Sequence, residues 1–416
     1  MMKVHLKVGI TKLAAIGLLV ALVAPAAAAE YWSRFRGPNG TGISAATTVP
    51  ISWTEDDYQW NVELRGLGHS SPVVWGDKVF VTSCDEAENL QIVWCLDAHN
   101  GATLWSREFP CAEYQKNEFN SFASSTPTVD AQHVYISWIA PEEYTVLALD
   151  HSGAEAWRVS LGAYRASHGL AGSPILCAGH VIVPNDQDGE SSVAALDRMT
   201  GQERWKLPRQ SGATYATPCL SFLSDGRSEL IFTSQAHGIT AVDPTSGKSN
   251  WELDVFTSDV VASSPATMDD LIVGGCGGIG AREEIVVIQY DGSDSERKPS
   301  ERYRLDKAMP FVPTPLIYKG MLILWSDQGV VTCADVTNGE FHWRERLRGS
   351  FYASPICIGD RIYGCSTEGD VVVLAAKHEF EELARNPLPE GTHSTPAVAN
   401  GRMYIRTFSR LLAIGG

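Results

Sequence analysis

Nine cysteines are scattered over 416 residues, and no two are adjacent or spaced as Cys-x-x-Cys. That excludes the common zinc and haem-attachment patterns. Positive charge is scarce, with 33 Lys and Arg against 49 Asp and Glu. Nucleic-acid binding depends on clustered Lys and Arg, so this balance argues against such a partner. Apolar runs of membrane length are also missing. The longest, 13–24, is only about a dozen residues where a span needs ~20. No phosphate loop, nucleophile elbow or pair of metal-binding histidines occurs.

That apolar run belongs to a leader. Lys3, Lys7 and Lys12 precede it, and Pro25 and a string of alanines follow, with Ala27 and Ala29 in the small-residue positions a signal peptidase needs. Residues 1–29 read as a signal peptide. The mature chain is expected to begin near Glu30, to have no membrane span after cleavage, and to be periplasmic or secreted. No cysteine lies near the cleavage point, so a lipid anchor there is not expected. Removing the three leader lysines leaves 30 basic against 49 acidic side chains. An exported chain can oxidise its thiols, and Cys84 with Cys95, on neighbouring strands, is the first pair to consider.

Internal repetition decides the fold. A small residue followed by Pro and then apolar residues recurs at Ser71-Pro72, Thr126-Pro127, Ser173-Pro174, Thr217-Pro218, Ser264-Pro265, Thr314-Pro315, Ser354-Pro355 and Thr395-Pro396. The prolines are 40 to 55 residues apart, the ~40–50-residue spacing of propeller blades. Each proline opens a β-rich run, one of the few places a sheet tolerates it. A turn such as Trp75-Gly76-Asp77 and a second β-rich run follow, as in a hairpin. The second half of each unit is more specific. Ala195-Leu196-Asp197-Arg198-Met199-Thr200-Gly201 leads to Trp205, and variants run to Trp105, Trp157, Trp251 and Trp343. Asp can cap its own turn and Gly supplies the positive φ that closes it. Trp60, Trp105, Trp157, Trp205, Trp251 and Trp343 open the last strands of six units, with Tyr303 and Leu383 in the other two.

This Ala-x-Asp-x-x-Thr-Gly-x-x-x-Trp turn resembles the tryptophan-docking motif of the pyrroloquinoline-quinone (PQQ)-like propellers. The resemblance implies that each aromatic packs between adjacent blades. Trp60–Leu64 is a last strand with no blade before it, and the run from Pro396 to Ile414 supplies three strands with none after it. Joining them gives an all-β, eight-bladed propeller of four-stranded antiparallel blades over 60–416, closed by N- and C-terminal strands, without open edges. Residues 30–59 are a separate segment whose Trp32 and Phe35 are expected to cap the ring's surface.

Chemistry-bearing motifs are few. Gly275-Cys276-Gly277-Gly278-Ile279-Gly280 satisfies G-x-G-x-x-G, but it joins two β-rich runs and opens no helix, so a blade loop is expected. Asp186, Asp188 and Glu190 could offer oxygens to Ca²⁺, but the rest of a twelve-residue loop is missing and a solvated hairpin loop is favoured. His69, His168 and His393 fall just before blade prolines, where inter-blade connections ring the channel. Arg165, Tyr215, Phe311, Phe351 and Tyr352 join them by the same count. Such a mouth is where this architecture takes a ligand or partner.

Three functions remain. The resemblance is nearer to the non-catalytic propeller subunit of outer-membrane β-barrel assembly than to quinoprotein dehydrogenases. A protein-binding scaffold for an envelope or extracellular partner, with no cofactor, is therefore expected. The alternatives are a PQQ- and calcium-dependent oxidoreductase and a propeller that binds a small ligand or glycan.

Overall fold

The computed structural model describes Met1 and residues 31–416, apart from 141, 279, 291 and 293–297. The leader read at 1–29 thus lies, Met1 aside, outside the described residues. Eight antiparallel sheets of four strands form a closed ring. Blade 1 comprises Val73–Trp75, Lys78–Asp85, Leu90–Asp97 and Thr103–Pro110. Blades 2 to 7 run from Thr128 to Ser160, Ile175 to Pro208, Cys219 to Leu253, Ala266 to Leu305, Leu316 to Arg346 and Ile356 to Pro387. Blade 8 takes Ala397–Ala399, Arg402–Arg406 and Arg410–Gly415 from the C-terminus. Its outer strand is Tyr58–Glu63, which pairs Trp60 with Ala413 and Val62 with Leu411. The closure expected from the two chain ends is present, and its strand starts two residues earlier than expected.

The second and third strands of each blade carry the core. They read as continuous runs of Val, Ile and Leu because each is covered on both faces by neighbouring blades; Ile182, Val193, Leu230 and Val242 join blades 3 and 4 in this way. The outer strands bear the aromatics. Trp60, Trp105, Trp157, Trp205 and Trp343 donate their Nε1–H to backbone carbonyls of the following blade, those of Ala98, His151, Arg198, Pro244 and Lys377. The Tyr303 hydroxyl reaches Val336 O in the same way. The turn glycine lies beneath the ring: a Cβ on Gly201 would come within 2.7 Å of Trp157. Trp251 departs from this. Its Nε1–H goes to Glu229 of its own blade, and Tyr290 packs beside it with ring centroids 5.1 Å apart.

The recurring Ser/Thr-Pro has a second purpose. The backbone N–H of Ser71 donates to the hydroxyl of Thr126, Thr126 to Ser173, Ser173 to Thr217, and Thr217 to Ser264. Ser264 continues to Thr314, Thr314 to Ser354, Ser354 to Thr395, and Thr395 closes the circuit on Ser71. All eight bonds are 2.9 to 3.2 Å long. Pro fixes φ and keeps the residue before it extended, so each hydroxyl is set at the same height in the ring.

The segment ahead of Tyr58 enters the channel over residues 31–44, and beyond it Val49, Pro50, Ile51 and Trp53 bond to blade 7. Tyr31 stacks on Trp75 at the first-hairpin turn of blade 1, and Trp32 bridges to Val74. Arg34 then donates to Pro218 O, and Arg36 to Pro315 O and Pro355 O. The Asn39 side chain both donates to and accepts from the backbone of Leu220. Ile43–Ser44 adds a parallel fifth strand to the inner edge of blade 7. The inner strands present open edges to the channel, and this plug bonds the backbone of those in blades 1, 2, 4, 6 and 7. Burial draws the guanidinium of Arg34 down to about 10 and that of Arg36 to about 9.

Candidate functional site

Above the belt of hydroxyls the ring opens into a cavity of about 1100 Å³. All eight belt residues line it, and Phe35 reaches it from the plug below. Its walls come from the inter-blade connections and from the loops joining second to third strands.

One side is aromatic. The His69 and His393 rings lie 4.5 Å apart, and Tyr352 meets His393 edge-on at 4.9 Å. Phe408 packs against His393 at 5.2 Å and Phe119 against Tyr352 at 5.4 Å. The Phe119 carbonyl lies 2.9 Å from His393 Nδ1, tying the connection between blades 1 and 2 to that between blades 7 and 8. Burial, reinforced by His393, Arg406 and Lys116, lowers His69 to about 3, so its ring is neutral at neutral pH. Its Nδ1 is shielded from solvent and has no hydrogen-bond partner among the described residues. Burial also lowers His393. Further round, His168 and Tyr215 meet edge-on at 5.4 Å.

The other side is acidic. Asp259, Glu283, Asp306 and Asp327 line it, with Arg282 the one guanidinium among the described lining residues, and Arg282 is ion-paired with Asp306. Asp327 accepts the backbone N–H groups of Phe311 and Val312 at 2.7 and 3.1 Å. Burial nonetheless lifts its carboxyl to about 6, and burial also raises Glu283.

Of the eight mouth residues expected from sequence, His69, His168, Tyr215, Phe311, Tyr352 and His393 line the cavity. Phe351 does not. It is fully buried against Trp325, 5.0 Å between centroids, in the core between blades 6 and 7. Counting back from the proline could not separate it from Tyr352, because consecutive extended residues point to opposite sides. Arg165 is exposed and outside the lining; its backbone pairs with Gln187 and Asp188. Asp186 departs from the solvated hairpin loop expected there: it is buried in an ion pair with Arg209 at 2.6 Å. Asp188 accepts the N–H of Ala213, and Glu190 is exposed. Among the described residues no three His, Cys, Asp or Glu are grouped to hold a metal. The glycine-rich stretch joins Leu271–Cys276 to Glu284–Gln289 as a blade loop, and Gly277, Gly278 and Gly280 line the mouth; Ile279 is outside the described residues. The Cys84–Cys95 pairing is also corrected: Cys95 lies opposite Phe80, and the sulfur near Cys84 is that of Cys111. Sequence reasoning missed the acidic wall because Glu283 and Asp327 lie in loops within blades rather than before a proline.

A family model described as outer membrane protein assembly factor BamB matches residues 91–273 and, overlapping, 239–414. The chain belongs to that family. The BamB of Salmonella typhimurium is 25% identical over 263 residues, which cover 61% of this chain and 64% of that protein. The match therefore spans a little under two thirds of the curated relative. Among solved structures, BamB from Moraxella catarrhalis superposes with a TM-score of 0.60 at 17% identity, covering 89% of this chain and 97% of that one. Quinohemoprotein alcohol dehydrogenase from Comamonas testosteroni gives 0.63 at 13% identity, covering 93% and 80%. The BamB structure and the alcohol dehydrogenase share the ring with this chain, so the ring alone does not fix a function. Among the described residues no helix is long and apolar enough to cross a membrane.

Proposed function

We propose that this chain is a non-catalytic binding propeller of the cell envelope, acting in outer-membrane protein assembly. Its channel mouth takes a basic segment of a partner protein. The charge of the mouth carries this reading: among the described residues, four lining carboxylates stand with one guanidinium, which is paired to Asp306. An extended segment could set Lys or Arg against Asp327, Glu283 and Asp259 and lay apolar side chains on Phe119 and Tyr352. Complementary charge gives such a site selectivity and speed of encounter. Family membership supports the assembly role, and the leader read at 1–29 supports export to the periplasm.

The same charges argue against the quinone. PQQ is a tricarboxylate, and its binding would call for cations where this mouth presents carboxylates. Of the three carboxylates considered for calcium, Asp186 is engaged by Arg209. The residues present therefore do not fit the cofactor.

Fluorescence anisotropy with an unstructured lysine-rich peptide and its glutamate-rich counterpart tests the proposal. The basic peptide alone should bind, and more weakly as salt rises from about 0.05 to about 0.5 M. An Asp327→Asn, Glu283→Gln double variant should weaken it roughly tenfold, about 1.4 kcal/mol. Equal affinity for both peptides, or for neither, would sink the reading. Dye-coupled oxidation of alcohols or sugars after adding PQQ and Ca²⁺ would overturn it in favour of an oxidoreductase.

A further inference from the structure

The Sγ atoms of Cys84 and Cys111 lie 3.6 Å apart. Among the described residues no other two cysteine sulfurs make such a contact. Cys84 is near the end of the second strand of blade 1, and Cys111 follows the last residue of its fourth strand. The Cys111 N–H donates to Asn89 O at 2.9 Å, which folds the chain back over the turn that follows Cys84. A disulfide has its sulfurs ~2.05 Å apart, so ~1.5 Å of approach closes the gap.

We propose that Cys84 and Cys111 form a disulfide that fastens the segment crossing the channel mouth. That segment, 111–125, contains no strand and leaves blade 1 at Cys111. Asn117 and Asn120 bond the carbonyl of His168, and Phe119 reaches across to Tyr352 and His393. The bond would anchor its first residue, so oxidation would hold Phe119 in the aromatic wall and reduction would release it. Neither the peptide-binding reading nor its test bears on this pair.

The chemistry balances with a disulfide oxidant such as glutathione disulfide. A hydrogen bond from the Cys84 thiol holds Cys111 below the usual thiol range, which favours Cys111 as the attacking thiolate. Its sulfur bonds to one sulfur of the oxidant and expels the other as a thiolate. Cys84, deprotonated, then attacks the Cys111 sulfur, forms the intramolecular bond and expels the second thiolate. Two protein thiols lose two electrons and two protons, and one oxidant disulfide becomes two thiols.

The full-length protein, incubated with glutathione disulfide, is alkylated under denaturing conditions and digested without reduction. Trypsin alone leaves Cys84 and Cys95 in one peptide, 79–107, so a glutamate-specific protease is added to cut after Glu86 and Glu88. The same protease cuts after Glu108 and Glu113, so peptide 79–86 joined to 109–113 is expected, about 2 Da lighter than the two free peptides together, the mass of the two hydrogens removed. Alkylation of both thiols, or linkage of Cys84 to Cys95, would overturn the proposal. Native trypsin cleavage at Lys116 should be about tenfold slower in the oxidised protein than in the reduced protein or in Cys111→Ser, since proteolysis reads local opening. Equal cleavage rates would overturn the fastening role.

Discussion

The Trp157 indole donates to Arg198 O at 3.1 Å and lies on Gly201, whose φ of 72° completes the turn beneath it. Trp157 is 7% exposed, as is Trp60. Trp205, at the end of the only complete copy of the turn, is only half-buried. Replacing Trp157 with Ala should therefore cost ~3–5 kcal/mol, the range for a buried aromatic. The same change at Trp205 should cost less, since less apolar area is removed from water there. Urea unfolding of the two variants checks the order; equal losses would mean that the turn sequence, not burial, sets the cost. The positions of these aromatics were legible in the sequence. Their burial was not, because it depends on how far the next blade's turn reaches over each ring. His69 poses a separate question of pH. Its pKa falls from 6.5 to about 3 on folding. The stability this gives is present above pH 6.5 and is lost as pH falls from there toward 3. At pH 5 the loss is about 2 kcal/mol by linkage. Wild-type protein should thus lose about 2 kcal/mol more than His69→Phe between pH 7 and 5, measured by urea unfolding. Equal losses would show that the ring protonates in place.

The elements follow from two kinds of signal, and only one can be read locally. Alternating β-rich runs, turn glycines and regularly spaced prolines are local, which is why all eight blades could be assigned before any strand pairing was known. The hydroxyl belt is not local. Ser or Thr precedes every blade proline, yet each hydroxyl is used by the blade before it, across 40 to 55 residues of chain in seven cases and 324 where Thr395 closes on Ser71. The plug is the same case at larger scale. Arg34 and Arg36 end on carbonyls 184 and 279 residues away, partners that no periodicity reveals. Phe35 was therefore expected on the outside and instead forms part of the floor of the mouth. The site was partly legible for the same reason. His69, His168, Tyr215, Phe311, Tyr352 and His393 are fixed in place by their distance from a repeated proline. Asp327 and Glu283 sit in loops of varying length, and only the closed ring brings them opposite the histidines.

As a whole molecule, the ring has one covalent gap, and that gap falls inside a blade. Tyr58 pairs with Ile414, so the chain ends of blade 8 form a hairpin without a turn. Supplying the turn and opening the chain elsewhere should leave the same ring, because exposed loops tolerate new termini. The turn at Ser224, Asp225 and Gly226 is exposed and joins two strands of blade 4. A permutant running from Gly226 to Gly416, through Asn-Gly, and from Tyr58 to Asp225 retains all eight blades and omits the channel plug. A truncation beginning at Arg65 lacks the outer strand of blade 8 and leaves the edge of Arg410–Gly415 unpaired. Open edges of this kind invite association. The permutant should be monomeric with the strand content of the parent, but it should melt at a lower temperature because the Arg34, Arg36 and Ile43–Ser44 contacts are gone. The truncation should aggregate. Circular dichroism and gel filtration decide between them. If the permutant aggregates as the truncation does, the plug rather than the shared blade holds the ring closed. If it melts with the parent, the plug contributes nothing to stability, and its place would be in shaping the floor of the mouth with Phe35.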